Sequence, residues 1–456
     1  MISSLRKAFR LGAAPRLALV GAGGKTTALF RLASEYPPPV LVTTTTHLGM
    51  EQLVLGGRHC LVDGPKALAA IEAEWPAQAL LLTGPATPDG SRWQGLDAEM
   101  MELLRQMAER RGAPLLIEAD GSRRLPLKAP GEHEPAIPGF VDGVVVVAGL
   151  QGLGKSLDGQ TVHRAEIFGQ LSGLGQGETI TAEALERVLR HPQGGLKNIP
   201  AGARRMALLN GADSPELQEQ GHALAERLLA DYEAAGVVSL GGSRAERGAG
   251  GQSVARVWAV HERVAGIILA AGAGERMGGQ VKLLLPWRGE TLVRTVARTA
   301  LEGGLRPVVV VSGAHADEIE AALSDLPVEL AHNPDWRAGQ STSVRVGVEA
   351  LPGETGAAVF LLGDQPQTPA ALVRALRAEH ARSLAPVVAP VVGGRRANPV
   401  LFDREVFADL RALQGEAGGR QVFERHGVHP LPWDDERQLW DVDTPEDYER
   451  LLRMVD

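Results

Sequence analysis

The sequence predicts an α/β protein built from two doubly wound, three-layer domains. Short apolar runs alternate with amphipathic segments along the chain, which is the pattern of parallel strands covered by helices. One apolar run near the start of each half leads directly into a glycine-rich turn. The 456 residues are enough for two or three domains, at about 150 residues each.

The composition is that of an ordinary soluble globular protein, with 44% hydrophobic and 22% charged residues. A net charge of −8 argues against a nucleic-acid or membrane-surface binder, because such proteins carry a basic face. The single cysteine, Cys60, cannot form an intramolecular disulfide, which favours a reducing, cytoplasmic setting. No apolar run reaches the roughly 20 residues that span a bilayer. We therefore expect neither nucleic acid nor a membrane as a partner.

A glycine-rich stretch, Gly241 to Gly251, divides the two halves and has the composition of a linker. A new strand pattern begins at Val264. We therefore place the first domain at residues 1–245, a linker at 246–262 and the second domain at 263–456.

In the first half, a predicted strand at Leu17 to Val20 leads into Gly21-Ala22-Gly23-Gly24-Lys25-Thr26-Thr27 and then a helix. This is the P-loop arrangement, in which backbone N–H groups surround phosphates, a lysine contacts the terminal phosphates and a hydroxyl binds Mg²⁺. The expected nucleotide contacts are Gly21, Gly23, Gly24, Lys25, Thr26 and Thr27, with Thr26 on the metal. Leu19 stands where a full motif has glycine, so a plain strand-to-helix turn is the alternative.

A second strand of this half, Leu115 to Ile117, ends in Glu118-Ala119-Asp120-Gly121. An acid at a strand tip can hold Mg²⁺ through water, and Asp120 is the first choice for this role, with Glu118 second. The alternative is a turn with a solvated aspartate. ATP or GTP is the expected ligand of this half.

These motifs together resemble the YqeC-type accessory proteins linked to selenium-dependent molybdenum hydroxylases. The resemblance covers most of residues 14–240. It rests on the glycine loop, the threonine run at 43–46, Glu-Ala-Asp-Gly-Ser with Pro-Leu-Lys-Ala-Pro, Glu-His-Glu-Pro, and His-Arg. It implies a P-loop-like accessory domain whose partner is a molybdenum hydroxylase apoenzyme.

In the second half, an apolar run from Val264 enters Leu269-Ala270-Ala271-Gly272-Ala273-Gly274. Glycines let phosphates approach the backbone, whose N–H groups bind anions. Arg276 and Lys282 follow and would supply positive charge to phosphate oxygens. The expected nucleotide contacts in this loop are Leu269, Ala270, Ala271, Gly272 and Gly274.

Further polar segments of the second half complete the predicted site. Residues 339–343 suggest a helix start capped by Ser341, where Gln340, Ser341 and Ser343 would contact a base or phosphate. An ordinary helix cap is an equally good explanation of this segment.

Carboxylates of the second half are the predicted metal ligands. The strand Ala357 to Leu362 delivers Gly363 and then Asp364, an acid well placed for Mg²⁺. Asp441 and Asp443 could supply a second ligand, although Thr444-Pro445 beside them also makes a good helix start. Gly363 is a further expected nucleotide contact, and Asn398 with Pro399 is the candidate site for the second substrate.

These parts suit metal-assisted nucleotidyl transfer. Mg²⁺ on Asp364 would bridge the triphosphate and an attacking phosphate. Arg276 and Lys282 would stabilise charge that develops on the α-phosphorus and pyrophosphate. No protein nucleophile is needed, because the oxygen of a substrate phosphate is already anionic.

Residues 264–453 resemble the molybdenum cofactor nucleotidyltransferases of the MobA-like NTP transferase superfamily, particularly the cytidylyltransferases. The resemblance rests on Leu-Ala-Ala-Gly-x-Gly-x-Arg-Met-Gly with Lys282, Gly-Gln-Ser-x-Ser, Gly-Asp-Gln-Pro, Asn398-Pro399 and Asp-Val-Asp-Thr-Pro-Glu-Asp. It implies a Rossmann-like nucleotidyltransferase fold, with CTP as the nucleotide and molybdopterin-bound molybdenum as the acceptor. Ala271 implies CTP, because guanylyl enzymes are associated with glycine at this position. Family members often have Gly-His-Pro where this chain has Ala397-Asn398-Pro399.

The leading hypothesis is a fusion of a cytidylyltransferase with a nucleotide-binding accessory domain. Two alternatives remain open. One is a transferase that uses GTP or acts on a sugar phosphate. The other is a cofactor-binding chaperone that inserts the cofactor without making it.

Overall fold

The computed structural model describes residues 2, 4–50, 57–241, 255–274, 277, 280–415 and 420–454. The chain divides into two compact units, Met1–His261 and Glu262–Asp456. Within the described ranges, no helix combines the length and the apolar character that crossing a bilayer requires.

The first unit alternates strands with helices. Its strands are β1 (Arg16–Gly21), β2 (Val40–Thr44), β3 (His47–Gly49), β4 (Arg58–Leu61), β5 (Ala79–Thr83), β6 (Arg92–Gln94), β7 (Leu115–Glu118), β8 (Leu127–Lys128), β9 (Gly143–Gly149), β10 (Val162–His163), β11 (Arg204–Asn210), β12 (Ala234–Ser239) and β13 (Arg256–Glu262), which ends at the boundary. Its helices are α1 (Leu5–Ala8), α2 (Lys25–Ser34), α3 (Pro65–Glu74), α4 (Ala98–Arg111), α5 (Ala165–Ser172), α6 (Ala182–Arg190) and α7 (Pro215–Leu228).

Nine of these strands form one sheet in the order β13–β12–β11–β9–β1–β7–β2–β5–β4. The strands from β12 to β4 run parallel. β1 is central, and β2 lies on the far side of β7, so the strand order changes direction around β1. Ligands of such sheets bind at the carboxyl ends of the strands beside this point. The glycine loop that follows β1 therefore lies where this fold class places its ligand.

Part of the segment predicted as a linker is instead a strand. Residues 256–262 form β13, which hydrogen-bonds to β12 at the edge of the first sheet. Val257, Ala259 and Val260 are buried there, and burial of this apolar run stabilises the strand. Residues 246–254 of the predicted linker lie outside the described residues, and Ala255 is buried just before β13.

The second unit has ten strands and seven α-helices among the described residues. Its strands are β14 (Val264–Ala270), β15 (Pro286–Trp287), β16 (Glu290–Thr291), β17 (Val308–Ser312), β18 (Glu329–His332), β19 (Ala357–Leu362), β20 (Val387–Val392), β21 (Arg395–Arg396), β22 (Val400–Asp403) and β23 (His429–Pro432). Its helices are α8 (Leu292–Glu302), α9 (Ala316–Leu323), α10 (Gln340–Glu349), α11 (Ala370–Ser383), α12 (Phe407–Arg411), α13 (Arg420–His426) and α14 (Pro445–Leu452).

The main sheet of this unit has the order β18–β17–β14–β19–β22–β20–β21, with β23 paired to β20. The strands β18, β17, β14 and β19 run parallel, whereas β22 is antiparallel to β19 and β20. Neighbouring residues of β14 enter separate cores: Ile268 packs with α8 and α11, and Ile267 packs with α10 and α12. The predicted α/β class, with mostly parallel sheets covered by helices, is confirmed.

Candidate functional site

The second unit has an open cleft of about 940 Å³ at the carboxyl ends of β14 and β19. Residues predicted from the sequence make up much of its wall. They are Leu269, Ala270, Ala271, Gly272, Gly274, Lys282, Gln340, Ser343, Asp364 and Asp443. Segments that are far apart in the chain therefore meet at one edge of one sheet.

Other predicted residues do not line the cleft. Ser341 is buried within α10. The N–H of Gly363 donates to Leu269 O at 3.1 Å, which joins the β19 end to the β14 loop. Asn398 and Pro399 precede β22, whose first residue pairs with Phe360, so they lie beside the end of β19. Arg276 lies outside the described residues.

Two carboxylates share the ammonium group of Lys282 in the cleft. Lys282 Nζ donates to Asp364 Oδ2 at 2.5 Å and to Asp443 Oδ1 at 3.0 Å. Burial opposes the charged form of Lys282, but the two carboxylates outweigh it and raise its pKa. The backbone tightens this cluster, because Val442 N donates to Asp364 O at 3.4 Å. Asp364 and Asp443 thus form a carboxylate pair around one cation.

This pair suits Mg²⁺, which proteins commonly bind through one or two carboxylates together with substrate phosphates. Asp441 is close to this pair but is held by a different residue: its Oδ1 accepts from Gln365 Nε2 at 2.6 Å. Burial, with the nearby Asp364 charge, raises the pKa of Asp441. In the described part of the chain no group of three or more potential ligands is close enough to hold a metal. A metal role for Asp441 stays a prediction.

The helix start in this cleft differs from expectation. α10 begins at Gln340 with Gly339, not Ser341, at the N-cap position. Gly339 has a φ of +110°, which glycine adopts readily and serine does not. The hydroxyl of Thr342 donates to Gly339 O at 2.8 Å and helps to hold the turn. The predicted cap was therefore wrong by two residues, while the helix N-terminus does face the cleft.

Several residues that contribute to the cleft were not identified from the sequence. Buried Asn333 donates to the hydroxyls of Thr342 and Ser343 at 2.8 and 2.9 Å and so fixes the start of α10. Trp336 and Arg337 line the cleft, with the guanidinium over the indole ring at 4.1 Å. Their position just after β18, at the edge where the other site segments end, was the available signal.

The C-terminal motif also has a structural role, as expected. Thr444 caps α14: its hydroxyl accepts from Asp447 N at 3.2 Å, and its own N–H donates to Asp447 Oδ2 at 2.9 Å. Pro445 occupies the first turn. This capping box holds the segment that carries Asp443.

In the first unit, Lys25 and Thr26 contact carboxylates at the end of β7. Lys25 is buried, donates to Gly21 O at 2.7 Å and lies 3.2 Å from Asp120 Oδ1. The hydroxyl of Thr26 donates to Glu118 Oε2 at 2.9 Å, while Thr27 is exposed on α2. Burial raises the pKa of Glu118. The geometry thus pairs Thr26 with Glu118 rather than with Asp120.

Three N–H groups of this glycine loop are already hydrogen-bonded within the protein. Gly21 N donates to Asp120 Oδ2 at 3.0 Å, Ala22 N to Val147 O at 2.8 Å and Gly23 N to Leu125 O at 3.1 Å. A Cβ at Gly24 would lie 2.4 Å from Asn210 Nδ2. Close packing within the protein therefore accounts for part of the glycine pattern.

Asp120 is held by cations on both sides. Lys128 Nζ donates to Asp120 Oδ2 and to Glu134 Oε2, each at 2.8 Å, and Arg164 pairs with Glu134 at 2.6 Å. Burial opposes ionisation of Glu134, but Arg164 and Lys128 lower its pKa to about 2. A continuous network of opposite charges thus runs from Lys25 to Arg164 beneath the loop.

Known proteins match each unit separately. The model of the MobA-like NTP transferase domain matches residues 266–430, and that of the YqeC protein matches residues 17–166. The uncharacterized protein YqeC of Escherichia coli is 38% identical over 213 residues, which cover 44% of this chain and 78% of that protein. These matches show a fusion of a YqeC domain with a MobA-like NTP transferase domain.

Two further relatives match the second unit. Nicotine blue oxidoreductase of Paenarthrobacter nicotinovorans is 36% identical over 199 residues, covering 41% of this chain and 96% of that protein. Molybdenum cofactor cytidylyltransferase of Escherichia coli is 27% identical over 186 residues, which cover 40% of this chain and 92% of that protein. The chain belongs to the YqeC family in its first unit and to the MobA-like NTP transferase family in its second.

Proposed function

We propose that the second unit transfers CMP from CTP to molybdopterin-bound molybdenum, releasing pyrophosphate and a cytosine dinucleotide cofactor. The proposal rests mainly on one observation: the loop at residues 269–274, the start of α10 and the Lys282–Asp364–Asp443 cluster all face one cleft. The relative named molybdenum cofactor cytidylyltransferase supports the choice of acceptor.

The Lys282–Asp364–Asp443 cluster would stabilise the negative charge of the transferring phosphate and of the leaving pyrophosphate. Asp364 and Asp443 would hold Mg²⁺, which supplies electrostatic stabilisation of the transferring phosphate. Lys282 keeps its proton, because both carboxylates raise its pKa, and it would move from them to the phosphate oxygens of the leaving pyrophosphate. Arg276 is assigned the same task from the sequence alone. Asn398 and Pro399, beside the β19 end, would meet the acceptor.

Ala271 supports CTP over GTP. Its side chain is buried and lies against Gly313, where an added Cβ would be only 2.8 Å from the Cβ of Ala271. The methyl group thus packs between the turn that follows β14 and the turn that follows β17. The resemblance to the cytidylyltransferases also implies CTP for alanine at this position.

A second candidate function is favoured by one observation, the 36% identity to a protein named as an oxidoreductase over nearly its whole length. In that case the cleft would hold a redox nucleotide rather than a triphosphate. The paired carboxylates around Lys282 favour the transferase, because a metal–triphosphate complex needs such ligands.

The decisive experiment measures pyrophosphate release with CTP, GTP and ATP against molybdopterin-bound molybdenum. We expect release with CTP above the other two nucleotides. A preference for GTP contradicts the cytidylyl assignment. No release with any nucleotide, together with oxidation of a reduced nicotinamide nucleotide, supports the oxidoreductase. Cofactor delivery to an apo-hydroxylase that survives Asp364→Ala supports a chaperone.

For the first unit we propose ATP or GTP binding in an accessory role during maturation of a molybdenum hydroxylase. Lys25 would contact phosphate, and Thr26 with Glu118 is an oxygen pair that suits Mg²⁺. Asp120 suits the metal less well, because Lys25 and Lys128 both hold it. Binding would require Leu125 O to leave the N–H of Gly23. If Lys25→Ala binds nucleotide as the native protein does, this proposal is wrong.

A further inference from the structure

A strained turn lies directly beside the glycine loop of the first unit. Leu125 N donates to Ser122 O at 3.0 Å, and the two central residues, Arg123 and Arg124, have φ of +49° and +63°. Turns with both central residues in this region are normally built from asparagine and glycine. Arginine adopts it at a cost, which is a feature that clusters at functional sites.

The turn is anchored to the glycine loop and to the end of β9. Leu125 O accepts from Gly23 N at 3.1 Å, and Pro126 O accepts from Gly149 N at 2.9 Å. Lys128, further along, is fixed by Asp120 and Glu134. These contacts place the backbone of the two arginines beside the glycine loop that is predicted to bind phosphate.

Arg123 adds a positive charge that acts on neighbouring residues. Burial lowers the pKa of His163, and the positive charges of Arg164, Lys128 and Arg123 lower it further. Lys128 and Arg164 share the Glu134 carboxylate, whereas exposed Arg123 has no ion pair within the described ranges. The other three cations of this network, Lys25, Lys128 and Arg164, are matched by Glu118, Asp120 and Glu134. The additional positive charge of Arg123 therefore favours an anion beside it.

We propose that the Arg123–Arg124 turn is an anion-recognition element that contacts the phosphate groups of the ligand held by the first unit. The proposal rests on the proposed nucleotide binding by the glycine loop. Planar guanidinium groups bind phosphate through paired hydrogen bonds, which explains why arginine occupies positions that suit asparagine and glycine. A phosphate oxygen would also compete with Leu125 O for the N–H of Gly23, so ligand binding is coupled to movement of the turn.

The test uses the double variant Arg123→Asn/Arg124→Gly, which suits the turn but lacks both guanidinium groups. Thermal unfolding and calorimetric titration with ATP, GTP and inorganic tripolyphosphate, each with Mg²⁺, are compared with the native chain. Binding by the first unit is the component that Lys25→Ala removes. We expect a higher Tm with affinity about 10- to 100-fold weaker, whereas a purely structural turn would change stability alone.

Two further variants serve as controls for the anion-recognition role of the turn. Arg288 has a φ of +50° in the turn between β15 and β16, followed by Gly289 at +87°. Arg288→Asn should therefore raise Tm without changing Lys25-dependent binding. Arg123→Lys/Arg124→Lys keeps the charge but loses the planar groups, so its affinity should be intermediate.

The outcomes separate this inference from the proposed function. Native affinity in the Asn/Gly variant overturns the inference and leaves nucleotide binding intact, and so does a lower Tm with unchanged affinity. Lys25-dependent binding of tripolyphosphate but of no nucleotide, weakened in the Asn/Gly variant, supports the inference and overturns the nucleotide proposal. No Lys25-dependent binding of any probe overturns both.

Discussion

Each of the two glycine loops follows an interior strand of a sheet, with parallel strands on both sides of it, yet the environments of the loops differ. In the first unit, the N–H groups of Gly21, Ala22 and Gly23 bond to protein acceptors, and buried Lys25 lies between carboxylates. In the second unit, residues 269–274 line an open cleft, and Lys282 bridges Asp364 and Asp443. One loop is packed against the protein, whereas the other faces solvent.

The glycines show what this difference means. A Cβ at Gly23 would lie 2.5 Å from Gly149 Cα, so packing alone requires glycine there. A Cβ at Gly272 would meet nothing within 4 Å. A glycine without a packing reason is the better pointer to a ligand, so the second loop has the stronger claim to a nucleotide.

The largest expected effect is that of Asp364→Asn. We expect nucleotidyl transfer to fall on the order of 10³-fold, because the pair that holds the metal and orients Lys282 is lost. Lys25-dependent nucleotide binding should not change. Pyrophosphate release under saturating CTP measures the effect, with Asp317→Asn, exposed on α9, as the control. If Asp364→Asn kept its activity within threefold of native, Asp364 would have no essential role in nucleotidyl transfer.

Local patterns predicted much of the fold and of this site. The strand Ala357–Leu362 was predicted with the bounds it has, because an apolar run ended by Gly-Asp is a local signal. β13 was missed because it is stabilised by pairing with β12. The Thr26–Glu118 hydrogen bond joins residues 92 positions apart. Gln365 likewise bonds to Asp441, 76 positions away. Asn333 bonds to side chains 9 and 10 positions away, across the turn between β18 and α10. Chain-local patterns do not reveal these contacts.

The second prediction compares alanine at the two glycines. Gly23→Ala should destabilise the first unit by roughly 2–5 kcal/mol, because the added Cβ meets backbone at a φ of +78°. Gly272→Ala should leave stability nearly unchanged but slow transfer by about 100-fold, since the methyl group would displace the triphosphate. Denaturant unfolding and pyrophosphate release measure the two effects.

The opposite pattern would contradict the distinction between the loops. Unchanged transfer in Gly272→Ala would mean that no ligand approaches this backbone. If Gly23→Ala left the stability of the first unit unchanged, the glycine loop would have to move away from Gly149 and Pro126 at little cost in free energy.

The third prediction concerns nucleotide choice. Ala271→Gly removes the methyl group that packs on Gly313. We expect the ratio of kcat/KM for CTP over GTP to fall by about 10-fold, the scale of one methyl group in a pocket. Ala273→Gly, in the same loop, is the matched control. A ratio that stays at the native value would assign the preference to other residues.

The smallest effect tests the charge network that distinguishes the first loop. Burial opposes ionisation of Glu134, but Arg164 and Lys128 hold its pKa at about 2. This is below the unfolded value of about 4.3, so the carboxylate stabilises the unit above that pH and loses its effect as pH falls toward 2. The free energy of unfolding of Glu134→Gln should therefore be on the order of 1 kcal/mol below native at pH 7, since partial exposure screens the charges. The free energies of unfolding of the variant and the native chain should converge near pH 2. The control, Glu320→Gln, changes an exposed residue of α9 and should match the native chain at every pH. If the difference in free energy of unfolding between native and variant did not change with pH, Glu134 would stabilise the unit by packing and not by its charge. Lys128 and Arg164 would then require another counter-charge.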